Sequence, residues 1–414
     1  MILAHKIALD PNNTQATYFA RAAGTARFAY NWARDEWQRQ YDAWKQDNSL
    51  PKPSQAALRR QLNALKRERF PWMLEVTKNA PQMAIIQLGE AFKNFWAGRA
   101  KFPKFRKKGV DDRFTLTNDQ FRVEGPRIRI PNLDWVRMRE SLRFTGKILS
   151  ATISRVADRW FVSITVDTHD GSHLPKAENQ GAVGVDLGVS VLATLSTGEK
   201  AVGPKAHKAL LKRLKRLSRS LSRKQKGSRN RAKAKMRLAT LHARIANIRN
   251  DALHKLTSDL TRRFHTVAIE DLRVRGMMKN HRLARSIADM SFFEFRRQRE
   301  YKAEQRGGVV VVADRWFPSS KTCSACGSVQ EKMSLSVRHW ICLDCGASHD
   351  RDVNAARNLL AHGLAALSRP TASSAGCEAC GPAMRPAMEE GAGSGRKTGV
   401  KPASAKQEVS FVPA

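Results

Sequence analysis

Four cysteines late in the chain have the residue type and spacing of a metal site. Cys323 and Cys326 form one C-x-x-C pair, fifteen residues follow, and Cys342 and Cys345 form a second pair. Two such pairs match a structural zinc site, in which four thiolates surround the ion tetrahedrally and leave no ligand position open. We therefore expect a structural Zn2+ ion here. Disulfide bonds are the alternative, because paired cysteines bridge in oxidising compartments.

Three acidic residues have the placement needed for hydrolytic chemistry. Asp186 and Glu270 each follow an apolar run typical of a buried strand. Asp352 lies in the first turn of a predicted helix, shortly after the second cysteine pair. Clustered carboxylates repel one another, so they favour divalent cations that prefer oxygen ligands, such as Mg2+ or Mn2+. Two such ions about 3.5–4 Å apart can activate a water and stabilise the leaving oxygen in phosphodiester hydrolysis. The sequence thus predicts a nuclease centre that holds two Mg2+ ions.

Each acid also has an ordinary structural explanation. Asp186 precedes Gly188 and could form a turn, Glu270 and Asp271 could be a surface pair, and Asp350 is well placed as a helix N-cap. The joint placement of the three acids favours the catalytic interpretation.

The net charge predicts a polyanionic partner. Lys and Arg total 74 against 37 Asp and Glu, which gives a formal charge of +37. Nine tryptophans and 42% hydrophobic residues are untypical of histone-like packing proteins and favour an enzyme that acts on nucleic acid. The segment 200–250 contains no acidic residue at all, so we expect the phosphates of a bound nucleic acid to supply its counter-charges.

The start of the chain predicts the compartment. It resembles a short strand rather than a signal peptide, and no apolar run approaches the roughly 18 residues of a membrane span. We expect a cytoplasmic, reduced protein without a membrane partner, where paired cysteines bind metal more often than they form disulfides.

Periodicity predicts an α/β and α+β multidomain fold. Helical spacing of apolar residues covers 14–44, 54–68 and 81–96, and alternating strands follow from 114 to 166, so a helical domain is inserted in a β-barrel-like N-terminal domain. Strands ending in acids then alternate with helices, as in an RNase H-like core with a four-Cys zinc insertion. The expected divisions are a β-barrel-like domain 1–12 and 99–170, a helical domain 13–98, a linker 171–182, a nuclease domain 183–314 and 347–367 with a basic helical hairpin 203–250, a zinc-binding insertion 315–346, and a disordered tail 368–414. Cys377 and Cys380 in that tail have no partner pair and are expected to be free thiols.

Several of these motifs together resemble a known family. They are Gly184-Val-Asp-Leu-Gly188, Ala268-Ile-Glu-Asp-Leu272, the run from Trp316 to Gly327, Cys342-Leu-Asp-Cys-Gly346 and the run from Asp350 to Asn358. This set resembles the RuvC-type nuclease of the TnpB (OrfB) family, which bacterial insertion sequences encode and which is related to the type V CRISPR effectors. The resemblance runs from residue 1 to about 367 and is strongest after residue 181.

The resemblance implies an RNA-guided DNA endonuclease in a bacterial cytoplasm, associated with the nucleoid when bound to DNA. Members bind a guide RNA made from the transposon end, check a short motif beside the target, open the duplex by guide pairing and cut both strands with a Mg2+-dependent site. Pairing reads the sequence, so the protein needs a basic channel indifferent to sequence. By this match Asp186, Glu270 and Asp352 are the catalytic triad. The D-x-N-A-A pattern selects Asp352 over Asp350.

The resemblance also suggests nucleic-acid contacts, although each could be an ordinary surface residue. Residues near the family's motif-reading positions, and cations of the basic hairpin, are the candidates: Lys78, Gln82, Thr117, Asn118, Lys212, Arg213, Lys215 and Arg216.

Two rival functions stay open on the sequence. One is a catalytically silent RNA-guided DNA-binding repressor or transposition regulator, which would be expected to lack a triad acid, and none is missing. The other is a structure-selective resolvase or strand-joining transposase on the same core, which the basic hairpin and the additional front domains disfavour. The oligomeric state is open between a monomer and a dimer on one RNA.

Overall fold

The computed structural model describes residues 1–169, 174, 176–334 and 336–368, and Met1–Ser368 form one compact unit. The predicted tail, with Cys377 and Cys380, lies outside the described residues apart from Ser368. Within the described ranges, no helix is both long and apolar enough to cross a membrane.

Along the chain, the first half consists of one strand, then three helices, then six more strands. A capping box starts the first helix: the Asn12 side chain accepts a hydrogen bond from the Gln15 backbone N–H, and the Gln15 side chain accepts one from the Asn12 N–H. The elements are β1 (Ile2–Ala8), α1 (Asn13–Gln46), α2 (Gln55–Arg69), α3 (Asn79–Trp96), β2 (Arg113–Thr117), β3 (Arg122–Glu124), β4 (Arg127–Ile130), β5 (Asp134–Arg137), β6 (Lys147–Val156) and β7 (Arg159–Asp167).

These strands form two antiparallel sheets, in the orders β1-β7-β6-β2 and β3-β4-β5. Strand β1 pairs with β7 from Ile2 opposite Asp167 onward, so the start of the chain joins strands that follow the helices. A single bridge between Leu9 and Met138 connects the two sheets. The β-barrel-like description of this region stays a prediction.

The second half contains a mixed sheet in the order β10-β9-β8-β11-β12. Strands β8, β11 and β12 run parallel, and β9 and β10 complete one edge in antiparallel pairing. The strands are β8 (Ala182–Leu187), β9 (Ala193–Leu195), β10 (Lys200–Ala201), β11 (Thr266–Glu270) and β12 (Val309–Ala313).

In the described part of the second half, seven helices and a small hairpin accompany this sheet. They are α4 (Ala206–Ala209), α5 (Leu211–Ser222), α6 (Arg229–Arg263), α7 (Val274–Met277), α8 (Ala284–Met290), α9 (Phe292–Gln305), β13 (His339–Ile341), β14 (Ser348–Asp350) and α10 (Arg351–Ser368). Helix α6 continues well past the expected end of the basic hairpin at residue 250. It contains no Gly or Pro, and Leu253 and Leu260 carry its buried face into the core beneath the sheet, so nothing ends the helix earlier.

Helix α10 packs against β8 at a glycine. A Cβ atom on Gly184 would overlap the backbone carbonyl oxygen of Ala356 and would lie 2.7 Å from the backbone nitrogen of Leu360. The missing side chain therefore allows backbone to approach backbone. This contact fixes the position of α10 over the centre of the sheet.

We predict that Gly184→Ala lowers the free energy of unfolding by at least about 1–3 kcal/mol, because a methyl group must displace helix backbone in a packed core. Urea unfolding followed by circular dichroism measures the change. Gly24→Ala is the matched control, because Gly24 lies inside α1. The atom closest to a Cβ added there would be an Arg27 side-chain nitrogen at 3.8 Å, so this change should be neutral or stabilising. Equal stability of the two variants would contradict this account of the contact.

Candidate active site and metal centre

The sheet brings two of the predicted acids to one edge. Strands β8 and β11 are parallel neighbours with Ile269 opposite Val185, so Asp186 and Glu270, the next residue of each strand, reach the same end. Asp186 is paired in the strand with Thr194 rather than in the turn considered as its alternative.

Helix α10 brings the third acid to the same edge. Ala356 lies against Gly184, and Asp352 is one helical turn before Ala356, while Asp186 is two residues beyond Gly184 on the same face of β8. All three acids are half-buried.

Electrostatics couple the three carboxyl groups. Burial raises the pKa of Asp186 to about 8, and the nearby charges of Glu270 and Asp352 contribute to the rise, while Arg351 and Arg338 oppose it. Burial also raises the pKa of Glu270 to about 7, which an interaction with the backbone of Leu187 partly offsets. Raised pKa values of this kind mark carboxyl groups that are buried close to like charges, and such groups cluster at functional sites.

The neighbouring acids have other partners. Asp271 is ion-paired with Arg315 and with Arg296, the latter at 2.8 Å between Oδ1 and Nη1, and these partners lower its pKa. Asp271 thus forms surface ion pairs, as the alternative interpretation of the sequence allowed. Glu270 instead lies at the same end of the sheet as Asp186.

Asp350 is the N-cap of α10. Its Oδ1 accepts hydrogen bonds from the backbone N–H groups of Asp352 and Val353, both at 3.0 Å, and its Oδ2 lies 2.7 Å from Lys200 Nζ. Asp352 instead lies 3.3 Å from Arg338 Nη1, a contact that the sequence did not reveal. Two acids two residues apart therefore have different environments, and the one facing Asp186 is Asp352.

The four predicted cysteines form a closed cluster. Their sulfurs all lie within 4.8 Å of one another, with 3.7 Å between Cys323 and Cys345 and between Cys326 and Cys342. A tetrahedral zinc ion with Zn–S near ~2.3 Å requires sulfur separations of roughly 3.8 Å, so the four residues fit this ion. Among the described residues, no other three His, Cys, Asp or Glu side chains bring their ligand atoms this close. Asp186, Glu270 and Asp352 are therefore spaced more widely than the thiols.

The two C-x-x-C turns have the same backbone geometry. In each, the backbone carbonyl of the first cysteine accepts a hydrogen bond at 2.9 Å from the N–H of the glycine four residues later, Gly327 or Gly346. Both glycines have positive φ, 81° and 69°, which L side chains rarely adopt. Each first cysteine, Cys323 or Cys342, also donates its N–H to a carbonyl five residues later, so both turns are built to present their sulfurs.

The imidazole ring of His349 contacts the cysteine cluster. His349 is buried, its Nε2 lies 3.0 Å from the Cys323 sulfur, and its ring centroid is 4.8 Å from that of Trp340. The sequence alone predicts no role for His349. It can donate a hydrogen bond to a thiolate and so balance part of its charge.

Two asparagines clamp the cysteine lobe to α10. The Asn354 side chain accepts from the Ser324 N–H at 2.9 Å and donates to the Thr322 carbonyl at 2.7 Å. Asn358 donates to the same Thr322 carbonyl at 2.6 Å and to the Ser319 carbonyl at 2.7 Å. Both side chains are buried, and their spacing of four residues puts them on one face of the helix. The helix that carries Asp352 is therefore fastened to the lobe that carries the cysteines.

The predicted nucleic-acid contacts fall into two separate places. Lys78 immediately precedes α3 and Gln82 lies in its first turn, and the neighbouring Asn79 donates a hydrogen bond at 2.7 Å to Thr117, which is followed by Asn118. The structure thus brings these four candidates together. The other four are exposed on the outer face of α5, whose leucines pack against α6: Lys212, Arg213, Lys215 and Arg216.

Comparison with known proteins gives the family. Residues 161–281 match a family model described as "Probable transposase" (OrfB_IS605), residues 292–359 match a Cas12f1-like TNB domain, and residues 1–46 match a helix-turn-helix domain of the OrfB_IS605 type. A Streptomyces pristinaespiralis protein named "Putative RNA-guided DNA endonuclease" is 41% identical over 397 residues, covering 93% of this chain and 92% of the relative. The chain belongs to the TnpB (OrfB) family. The resemblance drawn from the sequence is confirmed.

Other relatives agree with the assignment. InsQ of Escherichia coli (strain K12), which carries the same description, is 34% identical over 382 residues, covering 88% of this chain and 93% of the relative. A chain from the structure of a Cas12f1–sgRNA–target DNA complex superposes with a TM-score of 0.50 at 14% identity, covering 83% of this chain and 82% of that one. This likeness supports the predicted α/β fold class at the level of the fold. The proposed division into domains stays a prediction.

We predict that the carboxylate group makes the metal-free protein less stable as the pH rises from about 4 to about 8. The pKa of Asp186 in the folded protein, about 8, lies above its ordinary value of 3.8, so the folded state holds more protons than the unfolded chain across that window. In EDTA, Asp186→Asn should therefore unfold at a higher temperature than the wild type at pH 8, by roughly 2–4 °C per kcal/mol gained, and the gap should narrow toward pH 5. A constant gap across this range, measured by calorimetry, would count against the coupling.

We predict that Asn358→Ala loosens the cysteine lobe, because it removes two hydrogen bonds and leaves the Thr322 and Ser319 carbonyls without that donor, at about 1–3 kcal/mol. Amide hydrogen exchange in residues 319–328 should then be roughly tenfold faster or more. Arg357→Ala, on the exposed side of the same helix, is the control and should leave this exchange unchanged. If both variants behave alike, the asparagine bonds do not hold the lobe.

Proposed function

We propose that this protein is an RNA-guided DNA endonuclease that cuts double-stranded DNA beside a short motif, using a guide RNA from the transposon end. The single observation that carries this is the convergence of Asp186, Glu270 and Asp352 at one edge of the α/β sheet, with Asp186 coupled electrostatically to both others. The relatives described as RNA-guided DNA endonucleases support it.

In this proposal each acid has the same task, to supply carboxylate oxygens to divalent cations. Mg2+ ions, when bound, activate the attacking water and stabilise the leaving oxygen of the cut phosphodiester. Asp186 suits the central ligand position, because it lies between the strand that carries Glu270 and the helix that carries Asp352. The raised pKa values of Asp186 and Glu270 follow first from burial, and for Asp186 also from the charges of the other two acids.

Arg338 belongs to the same arrangement. Its guanidinium lies 3.3 Å from Asp352, and its charge lowers the pKa of Asp186, so it supplies part of the positive charge at this edge. A cation held by Asp352 would replace Arg338 as the partner of this carboxylate.

The cysteine lobe has a structural task in the proposal. Four thiolates around Zn2+ complete a tetrahedral shell, and Asn354 and Asn358 connect that shell to the helix that carries Asp352. The lobe thus holds the third acid in place.

We predict that Asp186→Asn abolishes cleavage of a plasmid target library by the purified protein with its cognate RNA and Mg2+. Loss of several kcal/mol of transition-state stabilisation corresponds to a rate decrease of roughly 1,000-fold or more. RNA binding should persist, because only the carboxylate site changes.

The controls separate the rival functions. Asp271→Asn, which alters an acid next to Glu270 that is paired with arginines, should retain cutting. Undiminished cutting by Asp186→Asn refutes the site, and a wild-type protein that binds RNA and target without cutting identifies the repressor. A protein that copurifies with no RNA of defined sequence points to the resolvase.

A further inference from the structure

A cavity far from the carboxylates lies where the helices of the first half meet its four-stranded sheet. It has a volume of about 640 Å3, and its walls come from α1, α3, β2, β6 and the loop that precedes β2. The charged residues of the lining are four cations and one acid: Lys104, Arg106, Lys107, Arg113 and Asp111. A pocket of this size holds one nucleotide, since ligand sites of this class measure ~300–1,000 Å3.

Arg106 is held rigidly at the wall of this cavity. Its guanidinium carbon lies 3.8 Å from the centre of the Tyr30 ring, and its Nη2 donates to the Gln87 side-chain oxygen at 2.8 Å. The Asn31 side chain accepts from the Arg106 N–H at 2.7 Å and donates to its carbonyl at 3.0 Å. Backbone and side chain are thus both fixed, while the other guanidinium N–H groups have no acceptor among the described residues.

The nearby acids do not neutralise Arg106. Asp111 accepts the Lys107 N–H at 3.0 Å, and Asp112 is ion-paired with Arg27 at 2.8 Å. In the part of the chain that the structure describes, no carboxylate oxygen lies within 4.0 Å of Arg106. Burial and the neighbouring Arg113 lower the pKa of Arg106 to about 10, although Tyr30 and Asp111 partly oppose this shift. The folded protein already excludes water from part of the Arg106 guanidinium. An incoming anion would therefore cost less desolvation of this group and would be bound strongly.

The rest of the wall suits a sugar. Gln87 donates to the Thr115 hydroxyl at 3.1 Å, and the hydroxyls of Thr115 and Thr152 lie 3.0 Å apart. Each hydroxyl can both donate and accept, so the pair offers hydrogen bonds to a group that does the same. The ribose 2′-hydroxyl is such a group, and it distinguishes RNA from DNA.

We propose that this cavity binds one nucleotide of an RNA, with the phosphate at Arg106 and Arg113 and the ribose at Thr115 and Thr152. The inference rests on the proposed function, because it assigns part of the guide RNA to this place. It names a site in the first half of the chain whose lining includes neither the hairpin cations nor the residues around Lys78.

The test measures affinity of full-length variants for two probes, a 20-nucleotide oligouridine RNA and the matching deoxyuridine DNA, at fixed salt without divalent cations. Arg106→Gln should weaken RNA binding roughly 10- to 100-fold, the loss expected for a charged hydrogen bond to phosphate. Lys108→Gln, an exposed cation of the same loop outside the cavity, should change it no more than about twofold. Arg106→Lys keeps the charge without the planar fork and should fall between them.

Thr152→Val tests the sugar contact. It keeps the shape of the side chain and removes the hydroxyl, so RNA affinity should fall several-fold while DNA affinity stays unchanged. Ultraviolet crosslinking of the RNA-bound protein should also join RNA to the peptide that contains Tyr30 or Phe105.

The outcomes separate this inference from the proposed function. Equal losses for Arg106→Gln and Lys108→Gln would leave only general electrostatics and overturn the site, and equal losses for RNA and DNA with Thr152→Val would overturn the choice of RNA. If Arg106→Gln unfolds, Arg106→Lys and Thr152→Val carry the test. If the variants show the expected binding pattern but the wild type cuts no DNA, the endonuclease proposal is refuted and the RNA site in the cavity stands. If the wild type cuts DNA but the variants do not show this binding pattern, only the RNA site is refuted.

Discussion

The close approach of the last helix to the central strand is the constraint on which the site depends. At Gly184 the backbone of β8 lies against the backbone of α10, and this contact decides where Asp352 lies relative to Asp186. A side chain at that position would hold the helix away and separate the acids. The repulsion between the carboxylates works against the packing, and the buried apolar surface of the sheet and helices must exceed it. Divalent cations bound as proposed would remove that repulsion and so stabilise the fold.

The cysteine lobe and the acidic edge form one unit through α10. Asp350 starts the helix, Asp352 faces the sheet from its first turn, and Asn354 and Asn358 hold the lobe from the opposite direction. A few residues on one helix therefore contact both the cysteine cluster and the carboxylate group. Thiolates suit a structural zinc ion and carboxylates suit magnesium, so the two proposed sites would not compete for the same ion.

The sequence predicted the main elements and the four-cysteine cluster well, because these leave local signals. Two C-x-x-C pairs and apolar strands that end in acids can be recognised without coordinates, and the cysteines do converge. The contacts that tune the site leave no such signal. Arg338 reaches Asp352 from a loop of irregular structure, and Lys200 reaches Asp350 from 150 residues away. Helix α6 is longer than predicted because its apolar face continues to Leu260, beyond the point where the stretch without acidic residues ends. The cavity around Arg106 depends on residues from four elements, and only the folded chain brings them together.

The most direct measurement is the anomalous scattering of Mn2+ soaked into crystals of the RNA-bound protein with an uncleavable DNA target. The account predicts manganese peaks within bonding distance of carboxylate oxygens from Asp186, Glu270 and Asp352 together, with Arg338 moved off Asp352. Manganese bound elsewhere, or bound by only one of these side chains while the target strand lies in place, would contradict it.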